Sequence, residues 1–369
     1  MQWVKTTRDN ILKPLQTVTG IVERRHSLPI LSNIYIEKEG ENCSFTTTDT
    51  EMQITTIAPI GLGKASFSST VAAYKLQDIL RALPDAETTI SFENKKFIIK
   101  NASCRFTLTS IDAEEYPTIQ LSTENKANFS IKQKDFKNLL SLTHFAMAQH
   151  DVRHYFNGLL LKTKNNSLIA AATDGHRLAV ATFALETNVD AFEVIIPRKA
   201  VGELQRLLDS NDEHLHISLS ELQARFTFNQ TEIISKLIGH KYPDYERVIP
   251  QNHTKQVVIA REPFQQALQR AALLIDKNLK CVQLSLKKNV LSVKTHNQDH
   301  EEAHDEIEVN YTGEAIETSF NVQYLLDVVN QVKSTSFQMS FGDVHTSMMM
   351  SLPDKESESF KYVVMPMKQ

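Results

Sequence analysis

The sequence predicts an α+β chain of three repeated domains, each with two helices and about eight short strands. Three observations predict this. A strand-like segment runs into a polar turn three times, in "SFTTTDTEMQITTI", "SLIAAATDGHRLAVATF" and "VLSVKTHNQDHEEAHDEIEV". Roughly 30 residues later each copy shows the apolar spacing of an amphipathic helix, in "YKLQDILRAL", "RKAVGELQRLL" and "QYLLDVVNQV". Each copy then closes on a tyrosine-bearing segment, "EEYPTI", "HKYPDYERVIP" or "FKYVVMP".

The intervals support each element in turn. The turn residues Asp49, Asp174 and Asn297 stand 125 and 123 positions apart. Along the following helix the apolar positions align as Leu76/Val201/Leu325, Ile79/Leu204/Val328 and Leu83/Leu208/Val332, and an acid recurs as Asp78/Glu203/Asp327. A second helix pattern precedes the first strands of each copy. In "DFKNLLSLTHFA", Phe136, Leu139, Leu140 and Phe145 are expected on one face. Strands such as "KFIIK" and "RFTLTS" alternate with the period of two expected of half-buried sheet. The polar stretches "STENKAN" and "PQNHTKQ" read as linkers, giving domains at 1–125, 126–253 and 254–369.

Composition narrows the function class. At 369 residues, 41% hydrophobic and 23% charged, the chain reads as an ordinary globular protein of more than one domain. No apolar run approaches the roughly 18 residues of a membrane span, and "MQWVKTTRDNILKPLQ" lacks the apolar centre of a secretory signal. Cys43, Cys104 and Cys281 are far apart and match no metal or redox spacing, so a cytoplasmic location is expected.

One motif points elsewhere. His300-Glu301-Glu302-Ala303-His304 has the His-Glu-x-x-His spacing of zinc hydrolases, which requires a helix. The repeat register places it on a strand, where residues four apart are about 13 Å from each other. Two imidazoles cannot both come within about 2.1 Å of one zinc ion from there. With the thirteen histidines scattered and no Gly-rich phosphate loop, no catalytic residue, metal or cofactor is expected.

What the stretch carries instead is charge. Glu301, Glu302, Asp305, Glu306 and Glu308 make an acidic strand, whereas Lys95, Lys96, Lys100 and Arg105 make a basic one in the first domain. Opposite edges at the two ends of a chain suit head-to-tail association. The six helix segments hold fifteen basic and eight acidic residues, a balance of +7 in a chain of net charge −4. Lys13, Arg24, Lys137, Lys199, Arg206 and Arg270 fall off the apolar stripes. Twelve helices from two chains, each about 10 Å across, would enclose a clear opening of about 28 Å. Double-stranded DNA threads such an opening, and a cationic lining attracts phosphates without reading bases.

At this point the sequence resembles a known family. "QHDVRHYFNGLLL" (149–161), "AATDGHRLAV" (171–180), "YPDYERVIP" (242–250), "FNVQYLLDVVN" (320–330) and "YVVMPMKQ" (362–369) are similar to the bacterial sliding clamps, the β subunit of DNA polymerase III holoenzyme, and the similarity runs through essentially the whole chain. The resemblance implies the DNA-clamp fold, with helices inside and antiparallel sheets outside, closing head-to-tail into a dimeric ring. It implies a processivity factor without catalysis, loaded by an ATP-driven clamp loader complex. DNA polymerases and repair proteins would dock on it through short peptides.

The resemblance also assigns residues. A peptide groove is expected from Arg153, Tyr155, Phe156, Thr173, Gly175, His176, Arg177, Leu178, Pro243, Arg247, Val248, Tyr324, Ser347, Val363, Val364, Met365, Pro366 and Met367. Arg105, Phe106 and Leu108, beside Lys96, resemble one side of a dimer interface. Leu273, Leu274, Glu301, Glu302, Asp305 and Glu306 resemble the other. The chain departs from the family pattern in ending Met-Pro-Met-Lys-Gln rather than in Arg-Leu, and in having His154 where a tyrosine is common. The competing class is a monomeric repeat scaffold that binds peptides but not DNA.

Overall fold

Residues three and four apart bury one stripe of every helix. The computed structural model describes residues 2–24, 27–122, 126–275, 280–353 and 359–367. Its helices are α1 (Arg8–Val18), α2 (Ala73–Ala82), α3 (Gln133–Ser141), α4 (Arg198–Leu207), α5 (Arg261–Ala272) and α6 (Val322–Gln331). α1 buries Ile11, Leu15 and Val18, and α5 buries Phe264, Ala267, Leu268 and Ala271. The Asn321 side chain caps α6 by accepting the Gln323 N–H at 2.9 Å. Among the described residues twenty-four strands accompany them, eight in each third of the chain.

Some helices are shorter than the apolar spacing suggests. α3 ends at Ser141, and Phe145 lies beyond it in a 3-10 turn, His144–Ala146, rather than on the helical face with Phe136. Thr143 ends the helix locally, its hydroxyl donating to the Leu139 carbonyl at 2.9 Å.

The three turns are built alike, the third being one residue longer. Asp49 Oδ1 accepts the N–H groups of Glu51 and Met52, Asp174 Oδ1 those of His176 and Arg177, and Asn297 Oδ1 those of Asp299 and Glu301. Each is a side-chain mimic of a backbone turn. The strand after the third turn, Glu302–Glu308, includes His304, while His300 lies in the turn at φ 61°.

The chain forms two compact bodies, Met1–Lys134 with Gly202–Leu237, and Asp135–Val201 with Ile238–Gln369. They divide the central repeat because the sheets continue from one repeat into the next. In the first body Met52–Ala58 pairs with Thr231–Lys236, with Met52 opposite Ser235, inside a twelve-stranded sheet. In the second, Arg177–Ala184 pairs with Phe360–Val364, with Arg177 opposite Val364, inside an eight-stranded sheet. A separate four-stranded sheet ends on Glu302–Glu308. The middle of the first linker (123–125) and the Lys368-Gln369 ending lie outside the described residues.

Candidate peptide-binding groove

The site is built at the second joint between repeats. Ser167–Thr173 and Arg177–Ala184 form a hairpin whose turn needs Gly175 at φ 89°, in the left-handed region that favours glycine. The turn is held by the Thr173 hydroxyl, which donates to the Arg177 carbonyl at 2.5 Å and accepts from the Gly175 N–H at 3.0 Å. The chain's last described segment lies beside it. Val363 pairs with Leu178, and the Met365 N–H donates to the His176 carbonyl at 2.9 Å.

Between them lies a cavity of about 140 Å³, lined by Phe156, Thr173, Gly175, His176, Arg177, Leu178, Pro243, Asp244, Tyr245, Val248, Ser347, Val363 and Met365. A cavity of roughly 150 Å³ lined by apolar side chains accepts a benzene-sized group. Leu178, Val363 and Tyr245 form its buried floor, continuous with Leu160, Ala171 and Ile195. Val248 and Met365, about half exposed at 51% and 48%, stand at the rim. An adjoining cavity of about 730 Å³ shares Ser347 and Met365 and adds Gln283, Glu317, Thr318, Ser319, Val344, His345, Pro366 and Met367.

Arg177 fixes the wall between groove and helix. Its Nε donates to Asp174 Oδ2 at 3.0 Å, Nη1 to Asp327 Oδ2 at 2.6 Å and Nη2 to the Phe145 carbonyl at 2.7 Å. The guanidinium lies 4.3 Å from the centre of the Tyr324 ring. Beside Gly175, Arg153 clamps Asp151 through both carboxylate oxygens, and these hydrogen bonds hold the Asp151 carboxyl down to about 2.

The expected groove residues therefore separate. Eleven line the first cavity, and Pro366 and Met367 line the second. Five do neither. Val364 is fully buried, because strand alternation turns it away from the face that Val363 and Met365 share. Arg247 is drawn aside by Asp244 at 2.7 Å. Arg153 leans over the Phe156 ring at 4.5 Å and Tyr155 packs edge-on against the same ring, so both support the wall from outside. Tyr324 lies beneath Arg177, and its carbonyl accepts the Tyr362 hydroxyl. Asp244 and Tyr245 were missed. The "YPDY" spacing was their available signal, since the 3-10 turn Tyr245–Val248 buries Tyr245 beside Pro243.

The expected DNA-facing cations also separate. Arg24 stacks over Tyr74 at 4.5 Å, and Lys13 and Lys199 are exposed. Lys137 is half-buried. Arg206 instead holds Glu203 and the Gln16 and Thr17 carbonyls, and Arg270 holds Asp305 at 2.5 Å. Both are thus engaged within the chain, with side chains 41% and 55% exposed. On the expected interface, Arg105 and Phe106 lie exposed in Cys104–Ile111, with Leu108 half-buried and Lys96 exposed on the neighbouring strand. Leu273 is 82% exposed and Leu274 half-buried. Glu301, Glu302 and Glu306 are exposed, and Asp305 is the acid that Arg270 engages.

Comparison with known proteins identifies the family. Family models described as the N-terminal, central and C-terminal domains of the DNA polymerase III beta subunit match residues 3–120, 130–244 and 246–368. The beta sliding clamp of Haemophilus influenzae is 38% identical over 363 residues, 98% of each chain. That of Escherichia coli K12 is 35% identical over 362 residues, again 98% of each. A Pseudomonas aeruginosa sliding clamp crystallised with griselimycin superposes with a TM-score of 0.95 at 37% identity, covering all of both chains. A Bacillus subtilis clamp gives 0.94 at 26% identity. With three domain models spanning it end to end, the chain belongs to the DNA polymerase III beta subunit family, the bacterial sliding clamps.

Proposed function

We propose that this sliding clamp, a tether rather than an enzyme, works as a head-to-tail homodimer closed around duplex DNA. A clamp loader would open and close it in the cytoplasm. Polymerases and repair proteins would dock apolar peptide side chains in the cavity lined by Leu178, Val248, Val363 and Met365, and extend over Pro366 and Met367. The three domains are taken as 1–125, 126–253 and 254–369. Lys13, Arg24, Lys137 and Lys199 are taken to face the DNA.

One observation carries the ring. Both joints inside the chain pair the strand after an Asp turn with the last strand of the next repeat. The equivalent strand of the third repeat, Glu302–Glu308, is a sheet edge. The equivalent last strand of the first repeat, Cys104–Ile111, pairs on its second side only through Ser110 and Ile111. The open edges carry opposite charge, so a second copy completes the third joint at both ends. Mass measurement at micromolar concentration tests this, with twice 41.9 kDa expected. Once loaded, the protein is expected to remain on circular DNA and to slide off when the circle is cut. A monomer, or equal retention on both forms, would overturn the reading.

A further inference from the structure

The histidine spacing that fails at His300 and His304 has a counterpart that suits a strand. On extended chain, side chains two apart emerge on the same face, with Cα atoms about 6.8 Å from each other. Two imidazole nitrogens bound to one ion at about 2.1 Å stand about 3.4 Å apart in tetrahedral geometry. Each ring then leans towards the other by less than about 2 Å, which rotation of exposed side chains supplies. The chain has thirteen histidines and a single His-x-His, His214-Leu215-His216.

This pair lies on the strand His214–Leu219. Leu215 and Ile217 point into the core, fully buried, while His214 and His216 are exposed on the opposite face. The neighbouring strand Ala127–Lys132 orients one of them. His216 stands opposite Ser130, whose hydroxyl lies 2.7 Å from His216 Nδ1. A metal on Nε2 leaves the ring proton on Nδ1, where Ser130 Oγ accepts it. An outer hydrogen bond of this kind fixes the tautomer and orientation of a metal-binding histidine. Opposite His214 stands Lys132, a cation that would repel a metal, but Asp212 engages it at 3.7 Å.

We propose that His214 and His216 together bind one divalent transition-metal ion through their Nε2 atoms, Cu2+ more tightly than Zn2+. Mg2+ and Ca2+, which take oxygen ligands, are not suited to it. Among the described residues no group of three His, Cys, Asp or Glu side chains could hold an ion, so two nitrogens are this chain's whole share. The remaining positions stay open to water or to a donor from a second molecule. All the residues involved belong to the first compact body, and the site does not depend on the ring proposed above.

Calorimetric titration of the intact, untagged protein with Cu2+ and with Zn2+ at neutral pH tests this. One ion per chain with a micromolar Kd is expected, and the Cu2+ electron paramagnetic resonance spectrum is expected to show coupling to two imidazole nitrogens. His214→Ala and His216→Ala are each expected to weaken binding at least about tenfold and to leave coupling to one nitrogen. Ser130→Ala is expected to weaken it about tenfold, and Ser130→Thr, which keeps the hydroxyl, to preserve it. The stacked pair His154 and His240, with ring centres 6.3 Å apart, supplies the control: His240→Ala is expected to leave the affinity unchanged. The substituted side chains are all exposed, so thermal unfolding without metal is expected to match the parent's. A parent that binds neither ion, affinity that survives both histidine variants, or affinity that falls with His240→Ala would overturn the assignment.

Discussion

At the scale of the residue, Arg177 shows how the groove is kept in shape. Its side chain is 9% exposed and all three hydrogen-bonding directions are used on Asp174, Asp327 and Phe145. Removing it leaves two carboxylates near the groove without their cation. We expect Arg177→Ala to cost about 3 kcal/mol in the unfolding of its domain, with a parallel loss of peptide affinity, both measurable by calorimetry. Asp151 gives a pH prediction of definite sign. Its carboxyl sits at about 2, below the ordinary 3.8. The Arg153 clamp therefore contributes fully above pH 3.8 and is lost as pH falls towards 2. Carboxyl NMR is expected to show Asp151 titrating near pH 2, and Arg153→Ala to return it to the ordinary range. A midpoint near 3.8 in the parent would contradict the clamp. The hairpin around Gly175 was legible because "TDGHRL" names a turn and its flanking strand. Val364 lies off the cavity that Val363 lines, because adjacent strand residues cannot share a face and only pairing with Leu178 decides which one faces the cavity.

At the scale of the element, the repeat made strands and helices readable where local motifs misled. The His-Glu-x-x-His stretch reads as a helix by motif and as a strand by register. Its second half, Glu302–His304, lies on a strand, and His300 lies in a turn that Asn297 holds much as Asp49 and Asp174 hold theirs. Less was legible about which strands join. The pairings of Met52–Ala58 with Thr231–Lys236, and of Arg177–Ala184 with Phe360–Val364, bridge well over a hundred residues. No local pattern encodes a partner so far away, so the sharing of sheets between repeats was not foreseen. The Gln16 and Thr17 carbonyls that Arg206 reaches were hidden for the same reason. The proposed third joint yields a prediction at this scale. Replacing Glu301, Glu302 and Glu306 by lysine sets like charge against Arg105 and its neighbours. This is expected to weaken the dimer by several kcal/mol, on the order of a thousandfold in Kd. Asp305 is left in place, since Arg270 depends on it. A sedimentation profile identical to the parent's would remove this edge from the interface.

At the scale of the whole molecule, composition alone gives a poor account of a DNA-associated protein, since the chain is acidic with a net charge of −4. The resolution lies in distribution. Acid concentrates on strands such as Glu302–Glu308, whereas Lys13, Arg24, Lys137 and Lys199 sit on or beside helices. With the four cations proposed to face the DNA, direct attraction to phosphate is expected to be weak and to fall quickly with salt, because each neutralised phosphate releases about one counterion. Retention by a closed ring does not depend on that attraction. Two measurements should therefore diverge. Binding to short linear duplexes is expected to weaken steeply between low and physiological salt, and replacing those four cations by glutamine should lower the slope by about one for each phosphate no longer neutralised. The half-life of the loaded protein on circular DNA is expected to stay nearly constant over the same salt range, in both parent and variant. A half-life that tracked the linear affinity would mean that charge, rather than closure, holds the protein to DNA.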